Sequence, residues 1–489
     1  MKNFALAFFF YLVLAHSLCA QVNIFPLSQV PFKEAPYSNT HKGIVLSEEF
    51  EYYILFQQGD TVFTKDGKAS PAKSNHDYIA FIPGKSAKHA SLFVSHECND
   101  SSNTLGDGGG GTIFSIEKKD YQWKRTGKFN AVDFKPVGGT YDNCGGLYIP
   151  KTKRILSAEE YPPESNIKLY KKGKGTRDTT SINGLKRNEN IGWMVEIDPS
   201  SHVATKKLYT LGRFSHESAW LSKDGKSLYM SDDNAPGVFF KFVADNPYSF
   251  DKGTLFAYNQ RNNSNHWIAL PNNLDSLVII RDIALRKGAT AFARLEWITA
   301  TEDKLFLTET GSSPLSLKKQ DLPKEQFAQH LQAFIHNDTL QYPNGSLLAF
   351  DFKTEQVTVR LAGGRATTDT TKYFSNPDAL TCFNSNGKTW LIICEDQIEG
   401  TPISNEIWWL DASIQKPTVD SLYRFLIAAP GSEPTGVCLS KDRKTLFLNI
   451  QHPAEDNPLP FNRSSTLAIR SRSWKATYRN GQGVSVSFW

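Results

Sequence analysis

A pattern repeated five times along the chain limits its fold more than any other feature. Each copy gives an apolar strand, a polar turn, a second apolar strand, and then polar or acidic residues. The first reads Leu147-Tyr148-Ile149, a turn from Pro150 to Lys153, Arg154-Ile155-Leu156, and Ser157-Ala158-Glu159-Glu160. The second pairs Ala219-Trp220-Leu221 with Leu228-Tyr229-Met230 and closes on Ser231-Asp232-Asp233. The third pairs Trp297-Ile298 with Leu305-Phe306-Leu307 and ends Thr308-Glu309-Thr310. The fourth pairs Ala379–Phe383 with Trp390–Cys394 and ends Glu395-Asp396, and the fifth pairs Val437-Cys438-Leu439 with Leu446-Phe447-Leu448 before Asn449-Ile450-Gln451-His452. Asp-Gly and Asn-Gly in the turns are strong hairpin signals. One sheet of this length would leave exposed edges, whereas radial repetition leaves only short, protected ones. The expected fold is therefore all-β: a β-propeller of about six blades with little helix. The copies recur at intervals longer than the roughly 40–50 residues of common blades, so long insertions between strands are expected. Val484-Ser485-Val486-Ser487-Phe488 alternates as a terminal propeller strand should. Pro323 to Phe334 is the clearest helical segment, with Phe327, Leu331 and Phe334 on one face and Pro at its start.

Residues 1–20 have the layout of a cleaved signal peptide: Lys2, an apolar run from Phe4 to Ala15, then Leu18-Cys19-Ala20. That run is shorter than the ~20 apolar residues of a spanning helix. Residues 21–489 contain no Ser/Gly-rich or Pro-rich linker and read as one propeller domain, periplasmic or extracellular, with no membrane span and with a monomer expected. Of the mature cysteines Cys98, Cys144, Cys382, Cys394 and Cys438, an odd number, at least one must stay unpaired. Cys382 and Cys394 could form a disulfide, and a metal bond is one way for an exported thiol to escape oxidation. The net charge of +5 points to no nucleic-acid partner. The one basic cluster, from Lys168 to Lys186 and Arg187, reads as a solvated loop, or as an attractor for an anionic substrate if it lies beside the active site.

In a propeller, corresponding strand ends meet around one channel, so Glu159, Glu160, Asp232 and Asp233 should converge with their counterparts. Carboxylates gathered at low dielectric repel one another, and bound cations are the ordinary remedy. Asn143-Cys144-Gly145-Gly146 adds a thiolate and an amide oxygen to that set. Thiolates prefer iron, copper or zinc, and clustered carboxylates also hold calcium, magnesium or manganese. The alternative is a free buried Cys near solvated strand-end acids.

Ordered motifs then give the chain a resemblance. They are Ser95-His96-Glu97, Asp142-Asn143-Cys144, Ser157-Ala158-Glu159-Glu160, Gly192-Trp193-Met194-Val195-Glu196-Ile197-Asp198-Pro199, Leu211-Gly212-Arg213-Phe214-Ser215-His216-Glu217 and Tyr229-Met230-Ser231-Asp232-Asp233. Further on come Arg294-Leu295-Glu296, Asn376-Pro377-Asp378, Glu433-Pro434-Thr435-Gly436 and Gln451-His452-Pro453. In this order they resemble the PhoX-type alkaline phosphatases, propellers whose iron and calcium centre hydrolyses small phosphomonoesters. The resemblance implies that Cys144 binds iron with Asn143 beside it. It implies metal ligands at Glu159, Glu160, Glu217, Asp232 or Asp233, Glu296, Asp378 and Glu433, with His96 and Glu97 as weaker candidates. Arg294 would face the phosphate, and Arg294, Glu296 and Cys144 would carry catalysis. The chain departs from the family's pattern at Ala158, where Cys is usual, and at Leu295, where Pro is usual. No twin-arginine pair precedes the signal's apolar run, so metal would be acquired after unfolded export.

Asp107 followed by Gly108 to Gly111 lacks the Lys-Ser/Thr of a phosphate-cradling P-loop and reads as a flexible turn. The leading functional reading is an exported metal-dependent phosphomonoesterase. Two others stay open: another calcium-propeller hydrolase, phytase-like or lactonase-like, and a non-catalytic scaffold that keeps calcium for stability.

Overall fold

The computed structural model describes residues 22–23, 33–100, 102–106, 108–165, 181–262, 265–385, 387–397, 404–472, 474–478 and 484–488. Six antiparallel blades surround a central axis. Their inner strands are His76–Pro83, Asn143–Ile149, His216–Leu221, Leu295–Ala300, Pro377–Ser385 and Glu433–Leu439, which begin blades 1 to 6 in chain order. Each pairs with the strand that follows it, and each touches the inner strands of both neighbours, so the ring is closed. Blades 2 to 6 are the five copies of the repeat. The strand pair that opens the ring, His76–Pro83 with His89–His96, is a sixth copy, closing on His96-Glu97.

The ring is fastened by an early strand. Phe50–Gln57 pairs with Ser465–Ser471 and becomes the outermost strand of blade 6, burying Phe50 and Phe56. Val45–Leu46 adds to blade 5 in the same way. Val484–Phe488 is not the closing strand that its alternation suggests; it pairs with Trp474–Tyr478 in a separate three-stranded sheet. Pro323 to Phe334 is not an α-helix either. It forms two short 3-10 turns, Lys324–Gln326 and Leu331–Phe334, with Phe327 extended between them. Ala291 donates its N–H to the Gln326 carbonyl and accepts from Ala328 N–H, so pairing with a neighbouring segment overrides helical periodicity. The α-helices that do form among the described residues are short, Leu274–Val278, Ile280–Arg286 and Leu317–Gln320.

One local device is common to all six blades. The register between inner and second strand shifts at the same place: after His76, Asn143, His216, Leu295, Pro377 and Thr435. A bulge re-aims the side chains it contains. The next residues are Asp77, Cys144, Glu217, Glu296, Asp378 and Gly436, so five of the six bulges carry a thiol or carboxyl group. Inner strands come close enough at these bulges to demand glycine. A Cβ on Gly145 would lie 2.1 Å from the Glu217 carbonyl oxygen, and one on Gly436 would lie 2.0 Å from that of Asp77.

Gly110 and Gly111 open the strand Gly110–Lys119, and the buried Lys73 ammonium donates to the carbonyls of Gly106, Gly108 and Gly109. The glycine run is therefore a tethered segment rather than a flexible turn. Cys98, Cys144, Cys382, Cys394 and Cys438 are unbonded, and Cys382 lies across from Leu391, not Cys394. Among the described residues, no helix is long and apolar enough to cross a membrane. Residues 1–20 and most of the basic cluster, Lys168 to Arg177, lie outside the described residues.

Candidate metal centre

Two consecutive residues end each second strand, and strand alternation sends them to different surroundings. The first stays in the ladder: Glu159 opposite Asn143, Asp232 opposite His216, Glu309 opposite Leu295 and Glu395 opposite Pro377. The second comes just beyond it. The N–H groups of Glu97, Glu160, Asp233, Thr310 and Asp396 donate to the carbonyls of Asn75, Asp142, Ser215, Arg294 and Asn376, the residues that precede the inner strands.

First-position carboxylates are satisfied by protein. Glu159 accepts from Gly192 and Trp193 N–H at 3.0 and 3.1 Å and from Lys207 Nζ at 2.7 Å, with both side chains of the ion pair buried. Asp232 accepts from Val238 N–H at 3.1 Å and Asn234 Nδ2 at 2.6 Å and lies 3.4 Å from Arg281 Nε. Glu309 accepts from Ala293 N–H and contacts His330 Nε2 at 2.6 Å. Glu395 accepts from Ser375 and Glu406 N–H and Trp408 Nε1.

Second-position and bulge side chains face one another instead. Asp77, Glu97 and Cys144 form one group; Cys144, Glu160 and Glu217 form the next; Glu217, Glu296 and Asp378 form a third; and Asp396, Glu433 and His452 form a fourth. Within each group the potential ligand atoms lie within 4.8 Å of one another. All six blades contribute. Cys144 Sγ donates to Glu217 Oε2 at 2.8 Å, Thr310 Oγ1 to Glu296 Oε1 at 2.8 Å, and Gln451 Nε2 to both Glu97 and Glu433 at 3.0 Å. Asp77 Oδ2 and Glu217 Oε1 are buried with no hydrogen-bond partner among the described residues. Lone pairs left unsatisfied in a buried acidic ring fit cation binding, since leaving them bare costs about 1–3 kcal/mol each or more.

Electrostatics point the same way. Burial, then neighbouring carboxylates, push Glu97, Glu160, Glu217, Asp378 and Glu433 well above the usual carboxylate range. Glu296 is pushed up in the same way, by burial and then Asp233. Asp77 is raised to about 6, chiefly by burial. Burial and the same acids drive the Cys144 thiol up as well. Asp233 is the exception. Burial raises it, but the Arg294 guanidinium and hydrogen bonds outweigh that and hold it at about 2.

Arg294 sits at the ring's more open edge, its side chain 29% exposed. Its backbone is left-handed, φ 63°, a strained conformation for a non-glycine residue and one also adopted by Asn75, Asp142 and Asn376 at the same blade position. Nε and Nη2 donate to the two oxygens of Asp233 at 2.8 and 3.1 Å, and Nη2 lies 3.1 Å from Glu296 Oε1.

Of the residues expected from sequence, Cys144, Glu160, Glu217, Asp233, Glu296, Asp378, Glu433 and Glu97 come together, with Arg294 beside them. Glu159 and Asp232 do not; they belong to the protein-bonded set. The Asn143 amide is engaged by Thr140 Oγ1 and Ser157 Oγ at 2.9 and 3.1 Å. The His96 ring contacts Thr112 Oγ1 and the Ser74 carbonyl, and burial lowers it to about 4. Sequence reasoning missed Asp77 and His452 and did not select Asp396. Asp77 and Asp396 were findable by extending the repeat by one blade and by treating the residue after Glu395 like Glu160.

The family profile described as Alkaline phosphatase PhoX matches residues 128–454. No curated protein sequence matches the chain. Among solved structures, it is similar to Pseudomonas fluorescens PhoX in complex with vanadate, a transition state analogue, at 20% identity, covering 90% of this chain and 98% of that one with a TM-score of 0.69. Weaker likenesses include a Trypanosoma rangeli sialidase, at 8% identity over 87% of this chain and 59% of that one, TM-score 0.41. Another is a 6-phosphogluconolactonase-like protein of Bacteroides uniformis, at 11% identity over 90% and 96%, TM-score 0.37. The six-bladed fold agrees with the first of these, and the profile spans well over half of the chain. The chain belongs to the PhoX alkaline phosphatase family, metal-dependent hydrolases of phosphomonoesters.

Proposed function

We propose that this protein is an exported, single-domain phosphatase whose channel ring holds iron and calcium, with Cys144 as the thiolate ligand to iron. The ring's ligands are Asp77, Glu97, Cys144, Glu160, Glu217, Asp233, Glu296, Asp378, Asp396 and Glu433. The observation that carries this reading is a buried thiol and carboxylates from all six blades meeting beside one partly exposed guanidinium. A structural calcium site needs neither a thiol nor a guanidinium, so the donor set favours chemistry over scaffolding.

Phosphoryl transfer requires charge neutralisation and in-line positioning more than covalent help. When bound, such cations supply positive charge against the phosphoryl oxygens and acidify the attacking water. Arg294 supplies the fixed cation of the protein itself. Asp233 occupies its Nε–Nη2 edge and orients the guanidinium, leaving Nη1 for an incoming phosphate oxygen. Thr310 fixes one oxygen of Glu296, and Gln451 bridges Glu97 to Glu433, so these carboxylates are held before substrate arrives. The substrate is a small phosphomonoester and the working species a monomer.

The test is hydrolysis of p-nitrophenyl phosphate by purified protein with its metals quantified. Turnover that a chelator abolishes and added calcium and iron restore is expected. Inertness of metal-loaded protein toward a broad phosphoester panel would overturn the reading.

A further inference from the structure

Tyr161 stands at the rim of the ring with no part in the family motifs. It follows Glu160 directly, and its backbone is left-handed at φ 40°. Its N–H donates to Ser215 Oγ at 3.2 Å. This bend sends the phenol over the mouth of the ring, where its hydroxyl donates to Asp233 Oδ2 at 2.5 Å and lies 3.4 Å from Arg294 Nη2. The residue is 47% exposed overall, so its hydroxyl reaches the ring while the rest of it faces solvent.

A phosphomonoester dianion drawn to cations in this ring still has non-bridging oxygens to satisfy, and the chain meets them where hydrogen-bond donors converge. Thr310, Thr435 and Gln451 are buried, and their donors are turned on Glu296, Asp77, Glu97 and Glu433. The partly exposed edge presents Arg294 and the Tyr161 hydroxyl side by side.

We propose that Tyr161 is a second phosphate-contacting residue, its O–H donating to a non-bridging oxygen of the phosphate that Arg294 holds. This rests on the phosphomonoesterase reading of the ring. The hydroxyl transfers its hydrogen bond from Asp233 Oδ2 to the phosphate oxygen; no covalent bond is made or broken. A tyrosine suits the position because it adds a donor without adding a charge that would pair permanently with the carboxylates. It also places an aromatic ring at the entrance, where the alcohol portion of the ester must lie.

The test compares wild-type holoenzyme with Tyr161→Phe, which keeps the ring and removes only the hydroxyl. Three quantities are read: metal content per chain, affinity for inorganic phosphate by calorimetry, and kcat/KM for p-nitrophenyl phosphate. Unchanged metal content is expected, with phosphate affinity and kcat/KM each lower by on the order of 10- to 100-fold, the range for a hydrogen bond to a charged group. Phosphate affinity within twofold of wild type would overturn the proposal, as would losses that merely track lost metal. Wild type that binds phosphate but hydrolyses no ester would instead sink the enzymatic reading, and the binding comparison would still decide the role of Tyr161.

Discussion

One residue of sequence separates two acidic rings in this propeller, and they differ in every respect that matters for chemistry. Glu159, Asp232, Glu309 and Glu395 end their strands inside the hydrogen-bonded ladder, each met by backbone N–H groups and, in three cases, by Lys207, Arg281 or His330. Their neighbours Glu160 and Asp396, with the bulge residues Asp77, Cys144, Glu217, Glu296 and Asp378, face other acids, and Asp233 beside them is clamped by Arg294. The outer ring resembles a set of completed buried hydrogen-bond networks. The inner ring is left electrostatically open and needs a partner from outside the chain. Adjacent carboxylates can thus serve stability and chemistry separately, because alternation along a strand assigns them to different sides.

The largest effect should come from breaking the inner ring. Cys144→Ala should remove iron and its visible absorbance and abolish turnover while preserving the fold; full iron content and activity in that variant would return Cys144 to the role of a core thiol. Arg294→Ala should lower turnover on the order of 10²–10³, the usual cost of a lost electrostatic donor, with Arg294→Lys recovering only part of it. On the outer ring the sign of the contrast reverses. Glu159→Gln leaves the Lys207 ammonium buried and unpaired, so unfolding by denaturant should show a loss of about 3–5 kcal/mol, while protein that folds keeps its full metal complement.

A smaller, pH-dependent effect sharpens the same contrast. Asp77, Glu97, Glu160, Glu217, Glu296, Asp378 and Glu433, though not Asp233, have folded-state pKa values above their unfolded ones. Their protonated forms therefore stabilise cation-free protein fully below about pH 4, and this contribution is lost as pH rises through Asp77 at about 6 and through the raised values of the other carboxylates. Coordinated ligands are already deprotonated and show no such loss. The gap in Tm between metal-loaded and chelator-stripped protein should widen between about pH 5 and pH 8, and a constant gap would argue against cation binding by this ring.

Much of this was legible in the chain. Repetition of the hairpin gave the propeller, because five apolar pairs with matching turns admit few other arrangements. Of the residues that converge in space, Glu160 and Asp233 follow from their equivalent repeat positions, whereas Glu217, Glu296, Asp378 and Glu433 follow only from the family resemblance. What sequence could not separate was Glu159 from Glu160, since both are acids at a strand end and only the pleat distinguishes them. Asp77 was missed because it lies in blade 1, a sixth copy beyond the five read from the sequence. The closing strand was misplaced for a different reason: alternation in Val484–Phe488 is a property of any half-buried strand, whereas closure by Phe50–Gln57 depends on a pairing more than 400 residues away in sequence. The helix expected at Pro323–Phe334 failed because pairing with Ala291 outweighs local periodicity.

The central claim is that cations sit in the inner ring and not the outer one. Anomalous diffraction from a crystal of metal-loaded protein tests it directly, with data at the iron edge and at a wavelength where calcium scatters anomalously. The account predicts peaks at coordination distance, about 2.0–2.6 Å, from Cys144 Sγ and the carboxylates of Glu160, Glu217 and Asp378. Peaks coordinated by Glu159 or Asp232, or an inner ring without anomalous signal in fully active protein, would contradict it.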